Sequence, residues 1–98
     1  MANWYTEDVK TLFRAIASLQ TEEECRLFFE DVCTIREIME IAQRLKVARM
    51  LDRRTSYAAI NRETGVSTAT ISRVSRCLDY GSGGYRLVID RMEEETEA

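Results

Sequence analysis

One stretch restricts what this chain can become more than any other: residues 55–76, TSYAAINRETGVSTATISRVSR. Within it, Gly65 and Ser67 stand between two short apolar patterns. Glycine takes the left-handed conformation just past a helix end more easily than other residues, and a serine hydroxyl caps the start of the next helix. The spacing predicts one helix from about Ser56 to Thr64, a tight corner at Gly65, and a second helix behind Ser67 through Arg76. Ile60, Val66, Ile71 and Val74 recur at intervals that turn them inward, so the two helices should cross over one apolar knot instead of continuing as a rod. Thr68, Ala69, Ser72, Arg73 and Arg76 are left facing outward. Small hydroxyl and methyl groups in the first half of a helix, with arginine in the second, fit a DNA major groove without steric conflict. The pattern is that of a helix-turn-helix over residues 56–76, against the competing reading of an ordinary helical corner that touches no nucleic acid.

Net charge argues the other way until it is resolved along the chain. The total is -3, with a pI near 5.0. Residues 36–76 nevertheless hold nine Lys/Arg against four acids, a local balance of +5, while residues 1–35 and 77–98 each carry -4. An approaching phosphate responds to charge within about one Debye length, roughly 8 Å at physiological salt, so the basic middle decides the matter. Arg44, Lys46, Arg53, Arg54, Ser67 and Arg76 are the expected phosphate contacts, which position a protein without specifying sequence. Thr68, Ala69, Ser72 and Arg73 are the expected base readers, arginine being able to bond guanine bidentately.

At 98 residues the chain is expected to form a single helical domain, 1–98, near the size at which oligomerisation supplies part of the burial. No signal peptide and no apolar run of membrane-spanning length is present, so a cytoplasmic protein with no membrane partner is expected. Cys25, Cys33 and Cys77 are odd in number, lack CxxC spacing and read as reduced core residues. The chain has no histidine, no nucleophile beside a base and no cluster with metal-ligand spacing, so neither an enzyme nor a metal cofactor is expected.

Upstream, Trp4, Tyr5, Val9, Leu12, Phe13, Ile16 and Leu19 lie near helical periodicity behind a Thr6 cap, and such an aromatic face must dock on something. Thr21 with Glu24 and Thr34 with Glu37 form capping boxes. The first opens a helix to about Val32 that should bury Cys25, Phe28, Phe29 and Val32. The second opens the longest helix, TIREIMEIAQRLKVARMLDRR, apolar around most of its circumference and therefore expected to pack on several sides. Downstream, residues 79–84 (DYGSGG) read as a flexible connection, Tyr85 to Glu94 as a last amphipathic helix, and residues 93–98 as a disordered acidic tail.

With this order of elements in place, the chain resembles the Trp repressor family, and most closely the Trp-repressor-related YerC/YecD group. The likeness is strongest in ATISR at residues 69–73 behind the turn glycine, and weaker over roughly residues 4–95. The resemblance implies an all-α, six-helix fold in an intertwined homodimer, whose two helix-turn-helix heads meet a palindromic operator in successive major grooves. Carried over by position, Thr68, Ala69 and Ser72 fall at base edges, and Asn61 lies at a base-proximal place in the preceding helix. Arg44 and Arg73 match the two arginines that in Trp repressor sandwich the bound tryptophan. Val74, however, stands where Trp repressor has a glycine that admits the indole, Cys77 replaces a serine facing the ligand's amino group, and the turn before the reader is one residue shorter. An effector pocket would therefore comprise Arg44, Arg73, Val74 and Cys77, with tryptophan disfavoured as co-repressor on steric grounds. The expectation is a sequence-specific transcription regulator acting on double-stranded DNA as a homodimer. Its rivals are an architectural or constitutive DNA-binding protein and a protein-interaction module.

Overall fold

The computed structural model describes residues 3–97, among which six α-helices and no strands are formed. The chain divides into two compact units, residues 1–38 and 39–98, and the boundary falls inside the third helix.

The first unit holds α1 (Glu7–Ala17), α2 (Glu22–Val32) and the first turn of α3 (Ile35–Asp52). Its helix starts are set by local chemistry. Thr6 Oγ1 accepts from the Val9 amide at 3.2 Å, and Thr21 Oγ1 accepts from the Glu24 amide at 3.1 Å. Glu24 returns its carboxylate to the Gln20 amide, one residue before the cap, so the first box is displaced from the expected pairing. The second box closes in full: Thr34 Oγ1 accepts from the Glu37 amide at 3.1 Å while the Thr34 amide donates to Glu37 Oε1 at 2.8 Å. Donation from the Thr34 amide and hydroxyl-linked bonding hold the Glu37 carboxyl below its ordinary range.

Neither α1 nor α2 contains a buried residue. Tyr5 lies in tilted ring contacts with Trp4 and Phe13, with centroids 5.3 and 6.1 Å away, yet Trp4 remains 65% exposed. The expected burial along α2 is not found within the chain: Cys25 is exposed, Phe28 and Phe29 are half-buried in an edge-to-face pair, and Val32 is 56% exposed. The thiols likewise are not core groups, since Cys25 and Cys77 are exposed and Cys33 is half-buried, all three free.

The second unit holds the rest of α3, α4 (Tyr57–Thr64), α5 (Thr68–Tyr80) and α6 (Gly84–Glu97). Its core is one cluster: Val47 and Ala48 from α3, Ile60 from α4, Val66 from the turn, Ile71 and Val74 from α5, and Ile89 from α6. Only that stretch of α3 is buried. Met39 is 66% exposed and Ile41 is also exposed, so the helix is packed on one side where packing on several was expected.

The end of α3 is unusual. The Thr55 amide donates to Met50 O and the Arg54 amide to Leu51 O, the paired bonds of a Schellman motif. The left-handed position belongs to Arg54, at φ 63°, where glycine is the common occupant. Two boundaries differ from the sequence reading. Helix α5 continues past Arg76 to Tyr80, with Leu78 packed against the core, and stops at Gly81, whose amide donates to Cys77 O at 2.9 Å. Helix α6 runs to Glu97, so residues 93–97 are helical where a disordered tail was expected; Ala98 lies outside the described residues.

Two ion pairs tie α6 to the end of α3. Arg86 reaches Asp52 at 2.7 Å and Arg53 reaches Glu93 at 3.5 Å. Asp52, and then Asp90, hold the Arg86 guanidinium above its ordinary range.

Candidate nucleic-acid interface

The corner between α4 and α5 is built from the residues that predicted it. Ser56 Oγ accepts from the Ala59 amide at 3.1 Å, Gly65 takes the left-handed conformation at φ 75°, and Ser67 Oγ accepts from the Thr70 amide at 3.2 Å. Four further bonds brace the bend. Thr64 Oγ1 donates to Ile60 O at 2.7 Å and accepts from the Val66 amide at 3.1 Å. Asn61 Nδ2 donates to Val66 O at 2.8 Å, and Gln43 Nε2 of α3 donates to Thr64 O at 3.0 Å. Asn61, expected near a base, thus has its amide nitrogen engaged in holding the turn, although the residue is exposed.

Buried Ile71 and Val74 fix the orientation of α5. Ser67, Thr68, Ala69, Arg73 and Arg76 are consequently exposed along its outer side, with Ser72 half-buried beside them. Hydroxyls and a methyl at the helix start, followed by two guanidiniums, form a surface that can enter a groove and bond acceptors on base edges or phosphates.

The expected phosphate contacts divide into two kinds. Arg44 and Arg54 are exposed. Lys46 and Arg53 are exposed too, but each faces a carboxylate, Glu63 at 3.8 Å and Glu93 at 3.5 Å. Such loose, solvated pairs are worth little and yield to a competing phosphate. Sequence reasoning passed over Arg49, whose Nε is buried without a hydrogen-bond partner. The helical spacing of Lys46, Arg49 and Arg53 was the signal that could have found it.

The residues expected to form an effector pocket are only partly gathered. Arg44 and Cys77 share a groove of about 650 Å³ with Leu45, Gly81, Tyr85 and Val88. Arg44 also borders a smaller groove of about 320 Å³ beside Val66, Ser67 and Thr70. Arg73 lines neither, and Val74, at 2% exposure, belongs to the core. No group of three His, Cys, Asp or Glu among the described residues is placed to hold a metal ion, and no helix among them is long and apolar enough to cross a membrane.

Six helices among the described residues, with a left-handed glycine between a short capped α4 and an α5 of buried inner and polar outer side, define an all-α protein. Comparison with known proteins narrows this. The sequence profile of the family described as Trp repressor protein matches residues 7–93. The uncharacterised Bacillus subtilis (strain 168) protein YerC is 54% identical over 93 residues, covering 94% of this chain and 89% of its own. The crystal structure of a TrpR-like protein from Eubacterium eligens ATCC 27750 superposes with a TM-score of 0.86 at 51% identity, covering 90% of this chain and 91% of the other. That of a candidate Trp repressor from Staphylococcus aureus gives 0.84 at 46% identity, covering 90% and 88%. The chain belongs to the Trp repressor family, a family of DNA-binding regulators, and within it to the YerC-related group.

Proposed function

We propose that this protein is a homodimeric transcription regulator that reads a palindromic operator through α5 and represses by occluding a promoter. The observation that carries the reading is the outer side of α5, where Thr68, Ala69, Arg73 and Arg76 are exposed on a helix whose opposite side is locked into the core. Ser67, at the helix N-terminus, and Arg44, Lys46, Arg53, Arg54 and Arg76 supply phosphate contacts, while Thr68, Ala69, Ser72 and Arg73 meet base edges. Asn61 acts chiefly by holding the turn that presents them. A second copy covers the apolar sides of α1 and α2, which a single chain leaves exposed.

Tryptophan is not the effector in this reading. Val74 occupies core space, and Arg73 does not share the groove that joins Arg44 to Cys77. Genome-wide selection of fragments bound by the purified protein, with and without tryptophan, tests both points. A palindromic consensus recovered equally under the two conditions is expected. Many weak sites without a consensus would favour an architectural role, and binding no tighter than about 10⁻⁴ to 10⁻⁶ M would remove sequence-specific regulation.

A further inference from the structure

Operator recognition through α5 needs two sets of residues to meet a duplex together, and they stand on different helices. Arg44 and Lys46, the phosphate contacts, belong to α3, while Thr68, Ala69 and Arg73, the base readers, belong to α5. Their joint fit depends on what fixes the α4–α5 pair against α3. Apolar packing supplies part of it, since Val47 and Ala48 of α3 are fully buried in one cluster with Ile60 and Ile71. Burial of that kind is favourable without being directional, so it holds the helices together more firmly than it holds their angle.

The seam beside that packing is open. Gln43 and Arg44 of α3 line a groove of about 320 Å³ together with Val66 of the turn and Ser67 and Thr70 at the start of α5. From α3, Gln43 Nε2 donates to Thr64 O at 3.0 Å, across 21 residues of chain. Thr64 O is the last carbonyl of α4, one of the four that a helix leaves without an intrahelical donor, and a carbonyl can only accept. Gln43 therefore caps α4 from outside, immediately before the left-handed Gly65. A second polar link from α3 to α4, Lys46 to Glu63 at 3.8 Å, is long and solvated and restrains direction far less. A hydrogen bond weakens steeply as its angle closes, so the Gln43 bond resists tilt where the packing does not.

We propose that Gln43 is a positioning residue for operator recognition: by holding the end of α4 against α3, it keeps the base readers of α5 in register with the phosphate contacts of α3, without itself touching the duplex. This role rests on the DNA reading by α5. Recognition needs side chains placed within about 0.5 Å of their productive geometry, and a tilt at Thr64 passes through the short turn into Thr68 and Ala69. Without the bond, a smaller share of molecules presents the right tilt. Contacts that require register then suffer, while those to the uniform phosphate backbone persist.

The test uses the full chain and two probes, the duplex that wild type selects from a random pool and a scrambled duplex of the same length. Gln43→Met keeps the helix propensity and approximate length of glutamine but cannot donate, and Gln43→Lys restores a donor. In Gln43→Met, affinity for the selected duplex should fall by about 2- to 12-fold, the factor that one net hydrogen bond is worth. Affinity for the scrambled duplex and the salt slope should keep their wild-type values. The ratio of the two affinities should return towards wild type in Gln43→Lys, whatever its added charge does to both. Lys46→Gln should give the opposite signature, a smaller salt slope with the ratio kept. Residual dipolar couplings of the free protein should show α4 and α5 turned together relative to α3 in Gln43→Met.

An unchanged ratio in Gln43→Met, even with a lower melting midpoint, would overturn the proposal by leaving Gln43 a brace for stability alone. A loss shared equally by both duplexes, with a smaller salt slope, would make Gln43 a phosphate contact. A lost ratio with unchanged couplings would make it a base contact, and either result overturns the positioning role. A wild type that selects no duplex would instead end the DNA reading itself, and this role with it.

Discussion

Arg54 and Arg73 show two ways in which a single side chain can matter here. Arg54 holds the left-handed position that ends α3, a conformation that costs a non-glycine residue about 1–2 kcal/mol. Arg54→Gly should therefore raise stability by about 0.5–1 kcal/mol, after allowing for the greater freedom of glycine in the unfolded chain. In the proposed function the same change removes a phosphate contact, so denaturant unfolding and DNA titration should move in opposite directions. A parallel gain in both would free Arg54 of any role in binding. Arg73, exposed on α5, should behave differently. Arg73→Ala should weaken operator binding by about 1–3 kcal/mol with little change in the melting midpoint, and equal affinity for wild type and variant would take Arg73 out of the mechanism.

Elements in this chain are set mainly by their ends. Gly65 has open space where a Cβ would stand, so Gly65→Ala should cost about 1 kcal/mol through backbone conformation alone, and asparagine there should cost less. The start of α3 carries a pH dependence. The folded carboxyl of Glu37 titrates below its ordinary value of 4.5, because the amide and hydroxyl of Thr34 favour its charged form. The stability this contributes is fully present above the unfolded value and is lost as pH falls through the depressed folded one. Glu37→Gln should flatten the acid limb of a stability-versus-pH curve; an unchanged limb would mean that other carboxylates govern it.

Caps and the turn were legible because each is encoded within a few residues: Thr6 and Ser67 each accept from an amide three positions on, and Gly65 is the residue type best suited to its backbone angle. The ion pairs of Lys46 with Glu63 and of Arg53 with Glu93 were not legible, since they join residues that only the finished packing brings together. Helical period also identified the apolar side of α2 without saying what covers it, and Val32 stands exposed in the single chain for that reason. The end of α5 was placed early because Arg76 closes the outward polar pattern, while Leu78 extends the inward one by another turn.

For the whole molecule, the exposed aromatic side of the first unit and the basic middle of the chain make two separable predictions. If a second copy covers Trp4, Tyr5 and Phe13, the melting midpoint should rise with protein concentration, and Phe13→Asp should shift sedimentation equilibrium toward the monomer. A concentration-independent midpoint with a monomer mass would end the dimer reading. A dimer that neutralises about six phosphates should lose roughly five units of log affinity per decade of salt. Lys46→Gln or Arg53→Gln should reduce that slope, and by less than a fully unpaired cation would, because each already leans on an internal acid.

The bend between α4 and α5 has one more consequence. Three of its four side-chain ties, Asn61 to Val66 and Thr64 to Ile60 and Val66, close within five residues of chain, and only the bond from Gln43 to Thr64 reaches across from α3. Contacts so local need little loop closure, and they reform quickly whenever they break. Deuterium uptake at the Val66 amide should accordingly lag behind that of α1 and α2 as the protein is warmed, leaving a bent, still recognisable kernel after the aromatic flank has begun to loosen.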